Sequence, residues 1–247
     1  MFYGVEEASI PRFQQALREV LAIYPRHFAQ DMLITLDRNM GFYEDAAFMG
    51  AFRAEATRGQ ESSLLWRLHV LAWAAEHCRH LEGDFVECGV FEGFSTAVLA
   101  RYLDFARLPR RWYLYDTFSG IPEHQLNSDA TNPLPYTDPG LHARVVERFR
   151  PYPNILVIRG QVPEVLCGPA PAPQRIAFMH IDMNSADAEL GALEQLFDRM
   201  VPGGVLVLDD YGWFHHREQR HVEDAYFQRQ GYRVLELPTG QGMVIRR

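Results

Sequence analysis

The chain has 247 residues, of which 47% are hydrophobic and 13% aromatic, and its formal net charge is −8. This length suits one large domain with an extension, and the acidic balance argues against a nucleic-acid partner. No apolar run reaches the roughly 20 residues of a membrane helix, and the first residues lack a signal-peptide pattern, so we expect a cytoplasmic protein without a membrane partner. The three cysteines lack metal-ligand spacing and suit reduced thiols.

Residues 1–81 are predicted to form a helical N-terminal extension. Apolar residues recur three and four positions apart in four segments, which is typical of amphipathic helices. The segments are PRFQQALREVLAIY, QDMLITLDRN, YEDAAFMGAFRAEATR and ESSLLWRLHVLAWAAEHCRH. Such an extension can be a lid, a surface through which copies of the chain form a homo-oligomer, or simple packing, and the periodicity does not choose among these roles.

Residues 82–247 are predicted to form an α/β domain of the Rossmann-like type. Short apolar strands alternate with helical stretches, which indicates a parallel sheet covered by helices on both faces. The predicted strands are DFVECGV, RRWYLYD, NILVIRG, RIAFMHID and GGVLVLDD, and the helices fall near 94–106, 141–150, 186–200 and 216–230. Residues 118–140, rich in Pro, Asn, Asp and Gly, form a loop of a length that is often functional.

The last segment, GYRVLELPTGQGMVIRR, predicts two strands joined by the turn PTGQG. The turn is too short for a crossover helix, so the two strands must pair antiparallel. The prediction is therefore a mostly parallel, seven-stranded sheet that ends in an antiparallel hairpin.

The stretch DFVECGVFEGFSTAVLA changes from an apolar run to a small-residue helix at two glycines. Ligands of open parallel sheets lie beyond the carboxyl ends of the strands, and the first strand-to-helix turn is the usual contact. Glu87 ends the strand, while Gly89 and Gly93 permit a tight turn and a close approach of backbone to ligand. The next strand ends at Asp116, a carboxylate that can accept both hydroxyls of a ribose.

An acid in this turn argues against a nicotinamide dinucleotide, because a carboxylate repels a pyrophosphate. S-adenosylmethionine fits better, since it carries a sulfonium, an amino group and a ribose but no phosphate. The antiparallel last strand favours the same interpretation, because it is typical of class I methyltransferases and atypical of nicotinamide-binding folds. Alternatively, Glu87 and Asp116 only cap strand ends and helix starts.

Acids also follow two successive strands, at Asp182 in HIDMN and at Asp209 and Asp210 in LDDYG. Neighbouring strands lie about 4.8 Å apart, so these carboxylates can converge on one point. Their mutual repulsion would be relieved by a hard divalent cation with oxygen ligands, Mg²⁺ or a similar ion such as Mn²⁺ or Ca²⁺. Alternatively, the three acids cap loops and bind backbone amides.

Candidate bases for a proton transfer lie beside these acids. His180 precedes Asp182 by two residues and shares its strand face, and His215 and His216 follow the DDYGW loop. Strand histidines are commonly core residues with satisfied hydrogen bonds, and loop histidines are commonly exposed without a catalytic role. The sequence does not choose between these interpretations and a catalytic one, so each histidine stays an alternative to Asp182 as the base.

Taken together, GDFVECGVFEG, YLYDTFSGIP, HIDMN, VPGGVLVLDDYG and PTGQG resemble the TylF-like macrocin and mycinamicin sugar O-methyltransferases, a family of class I methyltransferases. The resemblance covers residues 82–247 and, more loosely, residues 30–81. It implies S-adenosylmethionine as methyl donor, a bound magnesium ion and a sugar hydroxyl as acceptor. The cofactor-binding residues that it implies are Glu87, Gly89, Gly93, Ser95, Asp116, Thr117, Phe118, Gly160 and Gln161, and the metal-binding residues are Asp182, Asp209 and Asp210.

The sequence departs from the family just after Asp182, where Asn184, Ala186 and Asp187 stand in place of a second Asp, a Tyr and an acid. In such enzymes the long loop and the N-terminal helices shape the acceptor pocket. The acceptor therefore stays open between a sugar, or a glycosylated small molecule, and a catechol-like or other vicinal diol. A non-catalytic member that binds S-adenosylmethionine is a further alternative.

Overall fold

The computed structural model describes residues 5–127 and 134–247. Residues 128–133 of the predicted functional loop lie outside the described residues. The described helices are α1 (Ile10–Ile23), α2 (Ala46–Glu55), α3 (Gly59–Ser62), α4 (Leu65–Cys78), α5 (Phe94–Tyr102), α6 (Leu141–Phe149), α7 (Glu164–Cys167), α8 (Ala186–Leu196) and α9 (Arg217–Arg229). None of them has both the length and the apolar character needed to cross a bilayer.

Two strands of the extension, β1 (His27–Gln30) and β2 (Leu33–Leu36), form a separate hairpin. The remaining strands are β3 (Asp84–Cys88), β4 (Trp112–Asp116), β5 (Ile155–Arg159), β6 (Ile176–Ile181), β7 (Met200–Leu208), β8 (Leu235–Glu236) and β9 (Gly242–Ile245). They form one seven-stranded sheet in the order β5-β4-β3-β6-β7-β9-β8. Strands β3 to β7 pair in parallel and β9 pairs antiparallel with both β7 and β8, which confirms the predicted sheet.

The sheet is buried on both faces because its central strands carry apolar residues at odd and even positions alike. Phe85 and Phe178 lie on one face, with ring centroids 5.2 Å apart, and pack in the core that includes Leu68 of α4. Val86 and Met179 lie on the other face, in the core formed with α8 and α9. Helix α4 of the extension thus belongs to the same hydrophobic core as the sheet.

The prediction of helices throughout the extension is wrong for QDMLITLDRN, where the structure has the β1–β2 hairpin. Asp31 and Met32 connect its strands with φ of 47° and 60°. Positive φ at both residues of a two-residue turn matches the twist of antiparallel strands. Phe28 of β1 is 2% exposed and packs edge-on against Trp66, with ring centroids 5.1 Å apart. This tertiary contact outweighs the helical spacing of the apolar residues.

Arg110 connects the end of α4 to the start of β3 through hydrogen bonds to backbone carbonyls. Its Nη1 donates to the carbonyl oxygens of Cys78 at 3.2 Å and Gly83 at 3.0 Å. Its Nη2 donates to those of Arg79 at 2.8 Å and Leu81 at 2.9 Å. The last carbonyls of a helix have no partner within the helix, so one guanidinium satisfies several groups that would otherwise need water.

Arg110→Met should lower the free energy of unfolding by about 2–4 kcal/mol, because the carbonyl oxygens lose a charged donor. The matched control is Arg107→Met, since the Arg107 side chain is 85% exposed. The control should change stability by less than about 0.5 kcal/mol. Urea unfolding of both variants measures the difference, and equal losses would contradict the role assigned to Arg110.

Candidate functional site

The turn between β3 and α5 is shaped by its two glycines. Gly89 has φ of 87° and Gly93 has φ of 74°, a region that L side chains rarely adopt. A Cβ atom on Gly89 would collide with the backbone carbonyl of Asp182. The glycine therefore lets the turn after β3 lie directly against the end of β6, which carries the first predicted metal-binding acid.

Asp116, at the end of β4, holds this turn in place. Its Oδ2 accepts from the backbone amides of Val90 at 2.7 Å and Phe91 at 2.9 Å. Its Oδ1 accepts from the amide of Phe118 at 2.6 Å. The carboxylate thus has a structural role in the turn, and its contact with a ribose stays a prediction.

The other predicted cofactor residues lie along the same edge of the sheet. Thr117 Oγ1 donates to the carbonyl of Gly120 at 2.6 Å, and the amide of Gly160 donates to the carbonyl of Asp116 at 2.9 Å. Gln161 Nε2 lies 3.0 Å from Nε2 of His124. Ser95 is half-buried in the first turn of α5. Their contacts with a cofactor stay predictions.

An aromatic pair links this turn to the long loop. Phe91 stacks on Tyr136, with ring centroids 4.3 Å apart and an interplanar angle of 28°. Phe91 has φ of 49°, so the turn presents its ring from a backbone conformation that is uncommon for a side chain of this size. The described end of the loop therefore packs against the turn predicted to hold the cofactor.

Glu87 and His180 form a buried pair beneath the turn. Their strands align them in register, and His180 Nδ1 lies 2.9 Å from Glu87 Oε1. Thr96 donates to the other oxygen of Glu87. On the far side, His180 Nε2 lies 3.4 Å from Oδ1 of Asp209. The Glu87 carboxylate is therefore occupied by groups of the protein itself.

His180 is a poor base in this position. Burial disfavours its charge, but hydrogen bonding and attraction from Asp209 and Glu87 outweigh burial and raise the pKa of His180 to about 10. A protonated imidazole has no lone pair to accept a proton. The geometry therefore favours a positioning cation between two acids over the predicted role as a base.

The structure brings Asp182 and Asp209 together with His180, and Arg67 links Asp209 to Asp210, the third predicted metal-binding acid. One ligand atom each from His180, Asp182 and Asp209 lies within 4.8 Å of the others. Burial, followed by repulsion from neighbouring acids, raises the pKa of Asp182 and of Asp210. Burial also acts on Asp209, but Arg67 and His180 overcome it and lower its pKa. Two of the acids thus lack sufficient compensating charge.

Arg67 of α4 pairs with these acids, and the pattern analysis missed it. Its Nη1 donates to Asp209 Oδ2 and lies 3.7 Å from Asp210 Oδ1, while its Nε donates to Asp31 Oδ2 at 3.1 Å. Arg67 precedes Leu71, Ala74 and Cys78, all fully buried, by four, seven and eleven residues. An arginine on the buried stripe of a helix requires an acidic partner, which is the signal that could have found it.

Gln241, from the turn of the closing hairpin, was also missed. Its Nε2 donates to Asp209 Oδ1 at 2.8 Å, so both oxygens of Asp209 are engaged, one by Gln241 and one by Arg67. The acid set still fits a hard divalent cation. Asp182 and Asp210 offer undercompensated carboxylates, and Asp209 can contribute a further lone pair.

The predicted loop histidines follow the acids of β7 in the chain, and the charge of His216 acts on Asp210. His215 is exposed, with its ring centroid 5.8 Å from that of Phe214. His216 Nδ1 lies 2.8 Å from Oε1 of Gln219, a buried side chain that donates to Glu189 at 2.6 Å. His215 is thus the more accessible of the two, and a role for either as a base stays a prediction.

Known proteins resemble this chain in sequence. The family model described as Macrocin-O-methyltransferase (TylF) matches residues 66–232. The 8-demethyl-8-(2,3-dimethoxy-alpha-L-rhamnosyl)-tetracenomycin-C 4'-O-methyltransferase of Streptomyces olivaceus is 31% identical over 147 residues. The matched part is 52% of this chain and 53% of that protein, so this chain spans about half the length of the relative.

Solved structures share the fold. The O-methyltransferase NovP is 19% identical, with a TM-score of 0.61 over 74% of this chain and 80% of its own. The apo structure of CalS11, a TDP-rhamnose 3'-O-methyltransferase, is 13% identical, with a TM-score of 0.56 over 99% of this chain and 97% of its own. These likenesses confirm the predicted Rossmann-like fold of class I methyltransferases.

Gly89→Ala should destabilise the protein by about 2–4 kcal/mol, because the new methyl group meets the Asp182 carbonyl in a backbone conformation that alanine avoids. The matched control is Gly50→Ala in α2, where a Cβ atom has nothing within 4 Å. The control should be stabilised by about 0.5–1 kcal/mol. Thermal unfolding compares the two, and an unaffected Gly89 variant would contradict the close approach of turn and strand.

Proposed function

Since this chain belongs to the macrocin O-methyltransferase (TylF) family, we propose that it is an S-adenosylmethionine-dependent O-methyltransferase. The observation that carries the proposal is the family match, which spans both the glycine turn and the acid cluster. We propose a hydroxyl of a sugar, or of a glycosylated small molecule, as the acceptor. The name of the Streptomyces olivaceus relative, which describes a rhamnosyl-bearing substrate, supports this choice.

The cofactor would lie over the turn formed by Gly89 and Gly93. A carboxylate has about four lone-pair positions, and backbone amides occupy three of those of Asp116. Asp116 therefore retains capacity for about one ribose hydroxyl rather than two. The same residue would shape the turn and bind the ribose, so its loss would affect both the local backbone and the affinity for the cofactor.

The reaction is a transfer of the methyl group in line from the sulfonium to the acceptor oxygen. The new C–O bond forms as the C–S bond breaks, and sulfur keeps the bonding pair and leaves as the thioether of S-adenosylhomocysteine. The hydroxyl proton passes to Asp182, His215 or His216, which are the candidate bases that remain once His180 is protonated. Holding donor and acceptor in line supplies a large part of the rate.

Asp182 and Asp210, together with Asp209, would hold Mg²⁺ or a similar hard cation. When bound, such an ion lowers the pKa of an acceptor hydroxyl. The raised pKa of Asp182 and of Asp210 supports the proposal, because it reflects buried carboxylates that also repel neighbouring acids. Chelation by two neighbouring hydroxyls serves a sugar and a catechol alike, so a vicinal diol stays the alternative acceptor.

Pairing of copies through the N-terminal helices stays a prediction. Helix α1 buries none of its residues, and its Ile10, Val20 and Ile23 are exposed by 37%, 43% and 73%. These exposed apolar side chains support a contact surface for a second copy, because burying apolar surface lowers the free energy.

S-adenosylhomocysteine should raise the melting temperature, whereas NAD should not, because only a ligand that binds the folded state stabilises it. At about 100 times its Kd the stabilisation is about 2.7 kcal/mol. Radiolabelled S-adenosylmethionine should then label a rhamnosyl or nucleotide-sugar acceptor in preference to a catechol. A shift with NAD alone would overturn the proposal, and cofactor binding without labelling of any acceptor would identify a non-catalytic member.

Asp210→Asn should reduce metal-dependent turnover by about 100-fold or more, because the ion loses a charged ligand. Asp187→Asn is the matched control, since Asp187 lies exposed in the first turn of α8. Rates are measured after removal of metal with EDTA and again after addition of Mg²⁺. Full turnover of the wild type in EDTA, or of the Asp210 variant in Mg²⁺, would refute the metal part of the proposal.

A further inference from the structure

Arg67 occupies the position of a fixed counter-ion within the acid cluster. Its side chain is 12% exposed, it donates to both Asp31 and Asp209, and its Cζ lies 5.2 Å from the ring centroid of Trp213. The surrounding carboxylates raise its pKa further, although burial opposes them. The guanidinium is therefore a permanent positive charge held in place on several sides.

Asp209 is the acid that this charge controls. Arg67 engages Oδ2, and Gln241 engages Oδ1. A divalent cation bound to Asp209 would have to share an oxygen that already carries a charged donor. The cation would also lie within a few ångströms of the positively charged Arg67 guanidinium. Repulsion between the two is strong because a buried site screens charges poorly.

Asp31 pairs with the Nε atom of Arg67 and partly neutralises its charge. It is 8% exposed at the turn of the β1–β2 hairpin, and its Oδ2 lies 3.1 Å from Arg67 Nε. Asp31 precedes residue 66, where the family match begins. The hairpin thus places in the site a carboxylate that partly neutralises Arg67.

We propose that Arg67 is an internal cation that competes with divalent metal for Asp209, and that Asp31 sets how strongly it competes. The inference rests on the metal site of the proposed function. It assigns the extension a regulatory part in that site. A purely structural role would give a different pattern, because loss of either partner would then disturb the acids and weaken metal binding in both cases.

The test is a titration of the full chain, without cofactor, with Mn²⁺. The electron paramagnetic resonance signal of the free ion measures how much Mn²⁺ stays unbound. Arg67→Met should bind Mn²⁺ about tenfold more tightly than the wild type, because a nearby like charge is gone. Arg67→Lys keeps the charge and should stay within about threefold of the wild type. Asp31→Asn should bind about threefold more weakly, because Arg67 then acts with less compensation.

Two controls locate the effect. Arg101→Met removes an arginine that pairs with Glu55 and is 51% exposed, so Mn²⁺ affinity should be unchanged. Adding Asp210→Asn to Arg67→Met should weaken binding again, which assigns the ion to the acid cluster. Circular dichroism checks folding. If Arg67→Met does not fold, Arg67→Gln, which removes the charge but keeps amide donors, takes its place with the same expected gain in affinity.

Equal or weaker Mn²⁺ binding by Arg67→Met would overturn the inference, as would unchanged or tighter binding by Asp31→Asn. If the wild type binds Mn²⁺ while Arg67→Met shows no gain, the inference fails and the proposed metal site stands. If neither protein binds Mn²⁺, both the inference and the metal part of the proposed function fail. Binding by Arg67→Met alone supports the competition.

Discussion

The burial of several charges at one edge of the sheet is the constraint on which the site depends. Glu87 and Asp209 are 3% and 4% exposed, and carboxylates are tolerated at such burial only with charged or hydrogen-bonding partners. His180 lies between them, and Arg67 completes the balance from α4. The extension therefore does more than cover the sheet. It supplies a positive charge that partly offsets the burial of the acids that follow β7.

The two halves of the site are joined through backbone groups as well as through the side chains of Glu87, His180 and Asp209. Asp116 fixes the amides of the glycine turn, and Gly89 lies against the carbonyl of Asp182. The place proposed for the methyl donor is thereby tied to the acids proposed for the acceptor. Transfer in line requires alignment of donor and acceptor, and a rigid contact between the two halves limits the misalignment that would slow it.

The sequence predicted the sheet and the acids at the ends of its strands, because continuous apolar runs and the residues that follow them are local signals. It failed at the β1–β2 hairpin, where Phe28 packs on Trp66 across a long stretch of chain, a contact that no window of residues reveals. It also left His180 as one of several candidate bases. Nothing local shows that strand register sets this imidazole beside Glu87 and Asp209, which together keep it protonated.

The sequence by itself determined the α/β class and the antiparallel hairpin that ends the sheet. It also determined the glycine turn and the acids at the strand ends. Each of these features depends on residues close together in the chain. Tertiary structure alone decided how the charges balance. Arg67 and Asp31 come from distant elements, and they meet Asp209 only once α4 and the hairpin have packed against the sheet. The physical reason is that electrostatic energy depends on distance in space and on burial, and neither can be obtained from separation along the chain.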